Sequence, residues 1–182
     1  RNDAYLFARL GTDLERADNT TRLFRYHLEA FAAPDQTGRP SYYAWAALLR
    51  ALSAYEAYRD TYGDSLRVSR IGDMLLMRDD LPRSLLACFS DIAQTLEGIN
   101  GEQSREVRRL VAQIQAQLRF GCWDSDFAQD AVAKLDEVLV RISEVGDAIE
   151  QAYWASDEVV TADVLDEAAV SAASSRQSQS NA

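Results

Sequence analysis

Histidine is almost missing from this chain. His27 is the only one in 182 residues, and no Asp or Glu stands three places before it. A di-iron carboxylate bundle takes Glu-x-x-His pairs from two helices, so that chemistry is excluded. Cysteine is nearly as scarce. Cys88 and Cys122 are too few for a disulfide framework or a zinc pattern. Both are expected to be reduced, in a bacterial-type cytosol. Cys88 falls among apolar residues and reads as a buried, inert thiol. Cys122, between Gly121 and Trp123, reads as more exposed, with nothing beside it to make it a nucleophile. Positive charge is short too: 19 basic residues face 29 acidic ones, a formal net charge of −10. Binding phosphates needs a dense basic surface, so nucleic acid and anionic membrane are excluded as main partners. No apolar run approaches the length of a membrane span, and no signal-peptide pattern opens the chain. A glycine-rich phosphate loop and a Ser-containing nucleophile elbow are also missing, which excludes autonomous ATP chemistry. The expectation is a cytoplasmic protein with no metal and no cofactor.

Acidic groups invite two further readings, and both fail on spacing. Asp124, Asp126 and Asp130 have the spacing that opens a calcium loop. The Gly needed at its sixth place and the Glu at its twelfth are replaced by Gln129 and Leu135. Acids capping a helix start explain the pattern. Asp79 and Asp80 are a single acidic pair, where magnesium-diphosphate binding needs a second motif, and capping suffices again.

What the chain does have is helical periodicity. Hydrophobic residues make up 47%, enough for one globular domain with a real core. In the first helix, predicted over about Asp3 to Phe31, one seam joins Phe7, Leu10, Leu14, Ala17, Thr21, Phe24, Leu28 and Phe31 at spacings of three and four. Gly11 interrupts it at a cost of about 1 kcal/mol against Ala, most simply explained by the close approach of a neighbouring helix. Pro34–Pro40 reads as a loop. A second helix is predicted from Ser41, its cap, to Tyr62–Gly63, with Trp45, Leu48, Leu49, Leu52, Tyr55 and Tyr58 on its apolar side. Its dense tyrosines read as packing at the core and its rim, with a ligand-stacking surface as the alternative.

The third helix, Leu66 to Met77, is expected to be capped by Asp64 or Ser65. The fourth takes Asp80 as cap and Pro82 in its first turn, buries Leu85, Phe89, Ile92 and Leu96, and ends at Gly98. Asn100–Gly101 is a turn. The fifth runs from Glu102 to Phe120 with Gly121 as its stop, and the sixth from near Asp124 to about Trp154. No stretch alternates as a strand does. The fold class expected is all-α: an antiparallel bundle of about six helices spanning 1–154, with 155–182 as an acidic to low-complexity, flexible C-terminal tail.

Opposite the seam, Glu15, Asn19, Arg22 and Tyr26 form a polar row at helical spacing, with Arg16 and Asp18 alongside. The plain reading is a solvated face laced with ion pairs. The functional reading is that Glu15 and Arg22 project into a groove and hold a partner or a polar ligand.

Three segments also resemble, in order, the bacterial alpha-E family of helical proteins. LERADNTTRL at Leu14–Leu23 resembles that family's signature. WAALLRALSAYEAYRDTYG at Trp45–Gly63 is similar to its W-x-x-LL helix with a downstream tyrosine. VSRIGDMLLMRDDLPRSLLACF at Val68–Phe89 resembles its V-x-x-(F/L)-LL-x-x-D-x-P-x-S element, with Pro82 and Ser84 in the Pro and Ser places and Asp79 or Asp80 in the acidic one. Met74 and Met77 depart from the aromatic and aliphatic residues of that pattern, a change that adjusts packing only. The resemblance covers roughly 3–154. It implies a second, related half in a longer protein, and the start at Arg1 in a helical pattern fits a C-terminal half whose N-terminal half is missing. It also implies a circularly permuted ATP-grasp protein as partner. Glu15, Arg16, Asn19 and Arg22 match the family motif and form the candidate functional surface.

Three functions follow as expectations. The first is an accessory helical subunit of an ATP-grasp-type amide or peptide ligase system, a scaffold or substrate presenter. The second is an enzyme component that binds a peptide or amino acid on the Glu15/Asn19/Arg22 face, with Glu15 as general base, its pKa raised by burial. The third is a structural module that forms homo-oligomers through the seam.

Overall fold

A computed structural model describes residues 3–31, 42–99, 104–120 and 127–154. Among the described residues there are seven helices and no strand: α1 (Asp3–Phe31), α2 (Tyr42–Ala51), α3 (Tyr55–Tyr62), α4 (Val68–Met77), α5 (Leu85–Gly98), α6 (Arg105–Phe120) and α7 (Phe127–Tyr153). None of them is long and apolar enough to cross a membrane. The expected loop at 34–40, the Asn100–Gly101 turn, the Gly121 stop, Cys122, the acids Asp124 and Asp126, and the tail at 155–182 lie outside the described residues.

Helix α1 is the axis of the bundle, flanked by α5 and α7. Its contacts fix the directions. Phe7 meets Tyr153 edge-on at 4.9 Å, and Arg25 Nη2 donates to Asp136 Oδ2 at 3.3 Å, so α7 runs antiparallel to α1. Arg9 Nη2 donates to Asp91 at 3.2 Å, and Thr20 Oγ1 to the Arg83 carbonyl at 2.9 Å, so α5 is antiparallel as well. Helix α6 returns along α5, with Arg108 Nη2 on the Leu96 carbonyl and Gln115 on Ser90. It packs on α7 and closes a four-helix core. Leu10, Ala17, Phe24 and Leu28 of α1, Phe89, Ile92 and Leu96 of α5, Val107, Val111 and Leu118 of α6, and Leu135, Val138 and Val145 of α7 fill it. The seam of α1 is thus buried inside the chain, but turned from its expected centre. Leu6, Asp13 and Thr20 are buried, while Phe7, Leu14 and Phe31 are only partly so.

The expected second helix is two helices, which is why there are seven and not about six. The break at Leu52–Ala54 carries both bonds of a Schellman stop: Ser53 N–H to the Arg50 carbonyl at 3.0 Å, and Ala54 N–H to the Leu49 carbonyl at 2.7 Å. Ser53 takes the left-handed φ of 56° that such a stop needs. Leu49 and Ala54 are both buried, supplying its hydrophobic contact. The apolar pattern hides the break because Leu48, Leu49, Leu52 and Tyr58 stay buried through it.

Two caps also differ from expectation. Helix α4 begins after Arg67 with no side-chain cap. Asp64 instead receives Arg59, and the Ser65 carbonyl accepts from the Tyr58 hydroxyl, which in turn accepts from Arg67 N–H. Asp80 pairs with Arg78 rather than capping α5. The cap is Ser84, whose Oγ accepts from Ala87 N–H at 3.1 Å and donates to the Arg78 carbonyl. Pro82 lies in the turn ahead of it. Gly11 is a further correction. A Cβ built there would meet nothing within 4 Å, so no neighbouring helix demands glycine at that position.

Candidate functional site

On α1, Glu15, Asn19 and Arg22 are exposed and Arg16 is half-buried. Successive residues of an α-helix are about 100° apart, so Glu15 and its neighbour Arg16 face different surroundings. Glu15 faces α7. There α1 and α7 leave an open groove of about 370 Å³, lined by Gly11, Leu14, Glu15, Asp18 and Arg22 on one side and by Ile142, Ser143, Gly146 and Asp147 on the other. Gly146 marks the close approach of the helices: a Cβ there would lie 3.6 Å from Leu14 Cδ2. Arg22 Nε donates to Asp18 Oδ2 at 2.6 Å, which holds the guanidinium along its own helix. Among the described residues, Glu15 and Asp147 have no hydrogen-bonded or ion-paired partner. Asn19 is exposed and does not line the groove. The four sequence candidates therefore do not form one constellation: Glu15 and Arg22 share the groove, Asn19 lies outside it, and Arg16 points elsewhere.

Arg16 belongs to a charged cluster between α1 and α5 that pattern reading missed. At its centre is Asp13, 2% exposed. Arg16 Nη1 donates to Asp13 Oδ1 at 3.0 Å. Arg9 lies 3.8 Å from Asp13 Oδ2 and bonds to Asp91. Asp13 Oδ2 accepts no hydrogen bond. Burial raises the Asp13 pKa, and the nearby Asp91 carboxylate raises it further, while Arg16 and Arg9 pull it down. Cys88, buried on α5, has its thiol pushed up to about 12 by burial first and by Asp13 next, so it is an inert thiol. A signal for this cluster was present in the chain. Leu10, Asp13, Ala17, Thr20 and Phe24 follow one another at core spacing, which puts a carboxylate on the buried stripe.

His27 is accounted for by packing. Its Nδ1 lies 2.8 Å from the Leu23 carbonyl, and its ring stacks near Phe31 and Trp45. Among the described residues, no group of three or more His, Cys, Asp or Glu side chains is placed to hold a metal ion. The tyrosines of α2 and α3 divide. Tyr58 is buried and Tyr43 is 84% exposed, while the Tyr42 and Tyr55 hydroxyls bond at 3.0 Å beneath Arg50. A second groove, of about 410 Å³ between α6 and α7, is lined by Arg109, Arg141, Glu137 and Glu144 and is balanced in charge.

Residues 1–154 match the Alpha-E family model, described as a predicted alpha-helical domain with a conserved ER motif. Glu15-Arg16 is the single Glu-Arg dipeptide in the sequence. No curated protein and no solved structure matches the chain.

Proposed function

Because the chain belongs to the Alpha-E family, we propose that it is the helical accessory partner of an ATP-grasp-type amide or peptide ligase, a scaffold or substrate presenter that docks through the Glu15 face of α1. One observation carries this reading. The Glu of the ER pair is an exposed carboxylate without a partner on the rim of an open groove, while its Arg is tied to buried Asp13. A charge left free at a surface is available to a partner. A general base calls for burial that shifts its pKa toward neutrality, and Glu15 is exposed. The geometry therefore favours docking over catalysis on this face. Self-association through the seam is disfavoured as well, because Leu10, Ala17, Phe24 and Leu28 are already covered by α5 and α7. The ligase partner itself rests on the family resemblance of Leu14–Leu23, Trp45–Gly63 and Val68–Phe89.

The test is a binding assay between the full chain and a circularly permuted ATP-grasp ligase of the kind proposed. Glu15→Ala is expected to weaken the complex about twofold to tenfold, as rim charges do, with the helical circular dichroism unchanged. Arg22→Ala should have a smaller effect, since Arg22 is already paired with Asp18. Unchanged affinity in both variants would remove this face from the interface.

A further inference from the structure

Gly11 poses a question that packing does not answer. It sits inside a helix of 29 residues, where glycine is among the least favourable residues. A side chain there would meet nothing within 4 Å. The space it leaves vacant opens into the groove between α1 and α7. Glycine at this place keeps the groove open. The walls say what fits. Leu14 and Ile142 supply apolar surface, and Glu15 and Asp147 bring two carboxylates from opposite helices, neither of them ion-paired among the described residues, while the groove's own cation, Arg22, is taken up by Asp18. A long side chain with an apolar stem and a cationic head satisfies both parts, the stem lying on the aliphatic walls and the head meeting the carboxylates.

We infer that the α1–α7 groove receives a lysine or arginine side chain from a segment of a protein partner, with Gly11 as the opening and Glu15 and Asp147 as the charge-reading residues. The inference builds on the docking reading above and gives it a chemistry: the segment that reaches this face is basic. Gly146 holds the two helices close enough for both carboxylates to border one groove. Arg22 does not compete for them, being paired with Asp18.

The experiment uses the full chain, labelled with ¹⁵N, and a short synthetic peptide of alternating lysine and leucine. A glutamate–leucine peptide and spermidine serve as comparison probes. The lysine peptide should give saturable shifts concentrated at the amides of Gly11, Gly146 and Asp147, weakening as salt is added. Gly11→Leu, a substitution that favours the helix, should abolish the response at Gly146 while the rest of the spectrum persists. Asp147→Asn should weaken affinity about twofold to fivefold. The glutamate peptide should give no response.

Shifts spread over the whole acidic surface and unaffected by Gly11→Leu would overturn the inference, leaving only the attraction of a chain of net charge −10 for any polycation. Saturation by spermidine as tightly as by the peptide would overturn it in favour of a small amine. The outcomes separate from the docking reading. A ligase complex that is weakened by Glu15→Ala but indifferent to Gly11→Leu and Asp147→Asn sinks the groove alone. A groove that takes the lysine peptide in a chain that never binds the ligase sinks the choice of partner alone.

Discussion

Asp13 shows how one residue can be conspicuous in space and plain in sequence. It occupies a core position of α1 with 2% exposure, yet its neighbours are the half-exposed Arg9 and Arg16. Its desolvation outweighs the attraction of the two guanidinium groups, with Asp91 adding repulsion, so its pKa lies above the usual carboxylate value. The sign of the linkage follows. A carboxyl whose folded pKa is raised binds more protons folded than unfolded in the window between the two values. Its contribution to stability therefore grows as pH falls into that window and is lost as pH rises through the folded value. Asp13→Asn removes the titration while keeping an acceptor for Arg16. It is expected to cost about 1 kcal/mol near neutrality. The advantage of the natural chain over this variant should widen between neutral pH and about pH 4. Urea unfolding of both proteins across that range decides it, and a difference that stays flat with pH would contradict the assignment. The seam read from the sequence runs through Leu14 rather than Asp13, and nothing in its spacing points to Asp91, which reaches Asp13 from another helix. Glu15 is the converse case: its exposure was readable from its place opposite the seam, but its groove needs α7 as the second wall.

At the scale of elements, the limits of α1 follow from apolar spacing and Gly98 ends α5 as expected, while α5 starts at Leu85, later than an Asp80 cap with Pro82 in the first turn would place it. The division of α2 from α3 does not follow from spacing. Neither Gly nor Pro stands at the break, and the residues around it continue a helical stripe of burial. What stops α2 is a left-handed conformation at Ser53, which a non-glycine residue adopts at a cost of about 1 kcal/mol or more. Ser53→Gly should therefore stabilise the protein by about 1 kcal/mol, because glycine takes that φ freely and the two Schellman bonds are backbone bonds that it keeps. A raised midpoint in chemical denaturation is the expected result. A loss of stability would mean that the serine side chain contributes more than the strain it imposes. Ser84 illustrates the same limit. Three candidates, Asp79, Asp80 and Ser84, stand within a few residues of the start of α5, and the fold selects the one whose hydroxyl can serve both Ala87 N–H and the Arg78 carbonyl. Local propensity does not distinguish them, since the second of those bonds depends on how the loop folds back.

For the whole molecule the governing quantity is the net charge of −10. Many of its ion pairs are local, such as Arg22 with Asp18 and Arg109 with Glu106 one turn apart. They leave an excess of carboxylates spread over the surface. Like charges held together by folding repel, and dissolved salt screens that repulsion within about 10 Å at 0.1 M. Salt also weakens the exposed pairs, but each local pair contributes little, so the excess decides the sign. Raising ionic strength from about 0.01 M to about 0.15 M should raise the Tm by a few degrees. The complex we propose should respond in the opposite sense. A basic segment drawn to Glu15 and Asp147 is held by attraction between unlike charges, and the same screening lowers its affinity and slows its association. Stability that rises with salt while partner affinity falls is a pairing that an apolar interface would not produce, because burial of apolar surface is strengthened rather than screened by added salt. Thermal melts and binding curves measured in one salt series therefore distinguish charge-read docking on the α1–α7 face from docking through the exposed aromatics Tyr43 or Phe120. A complex that tightens with salt would move the partner away from Glu15 and onto one of those apolar sites.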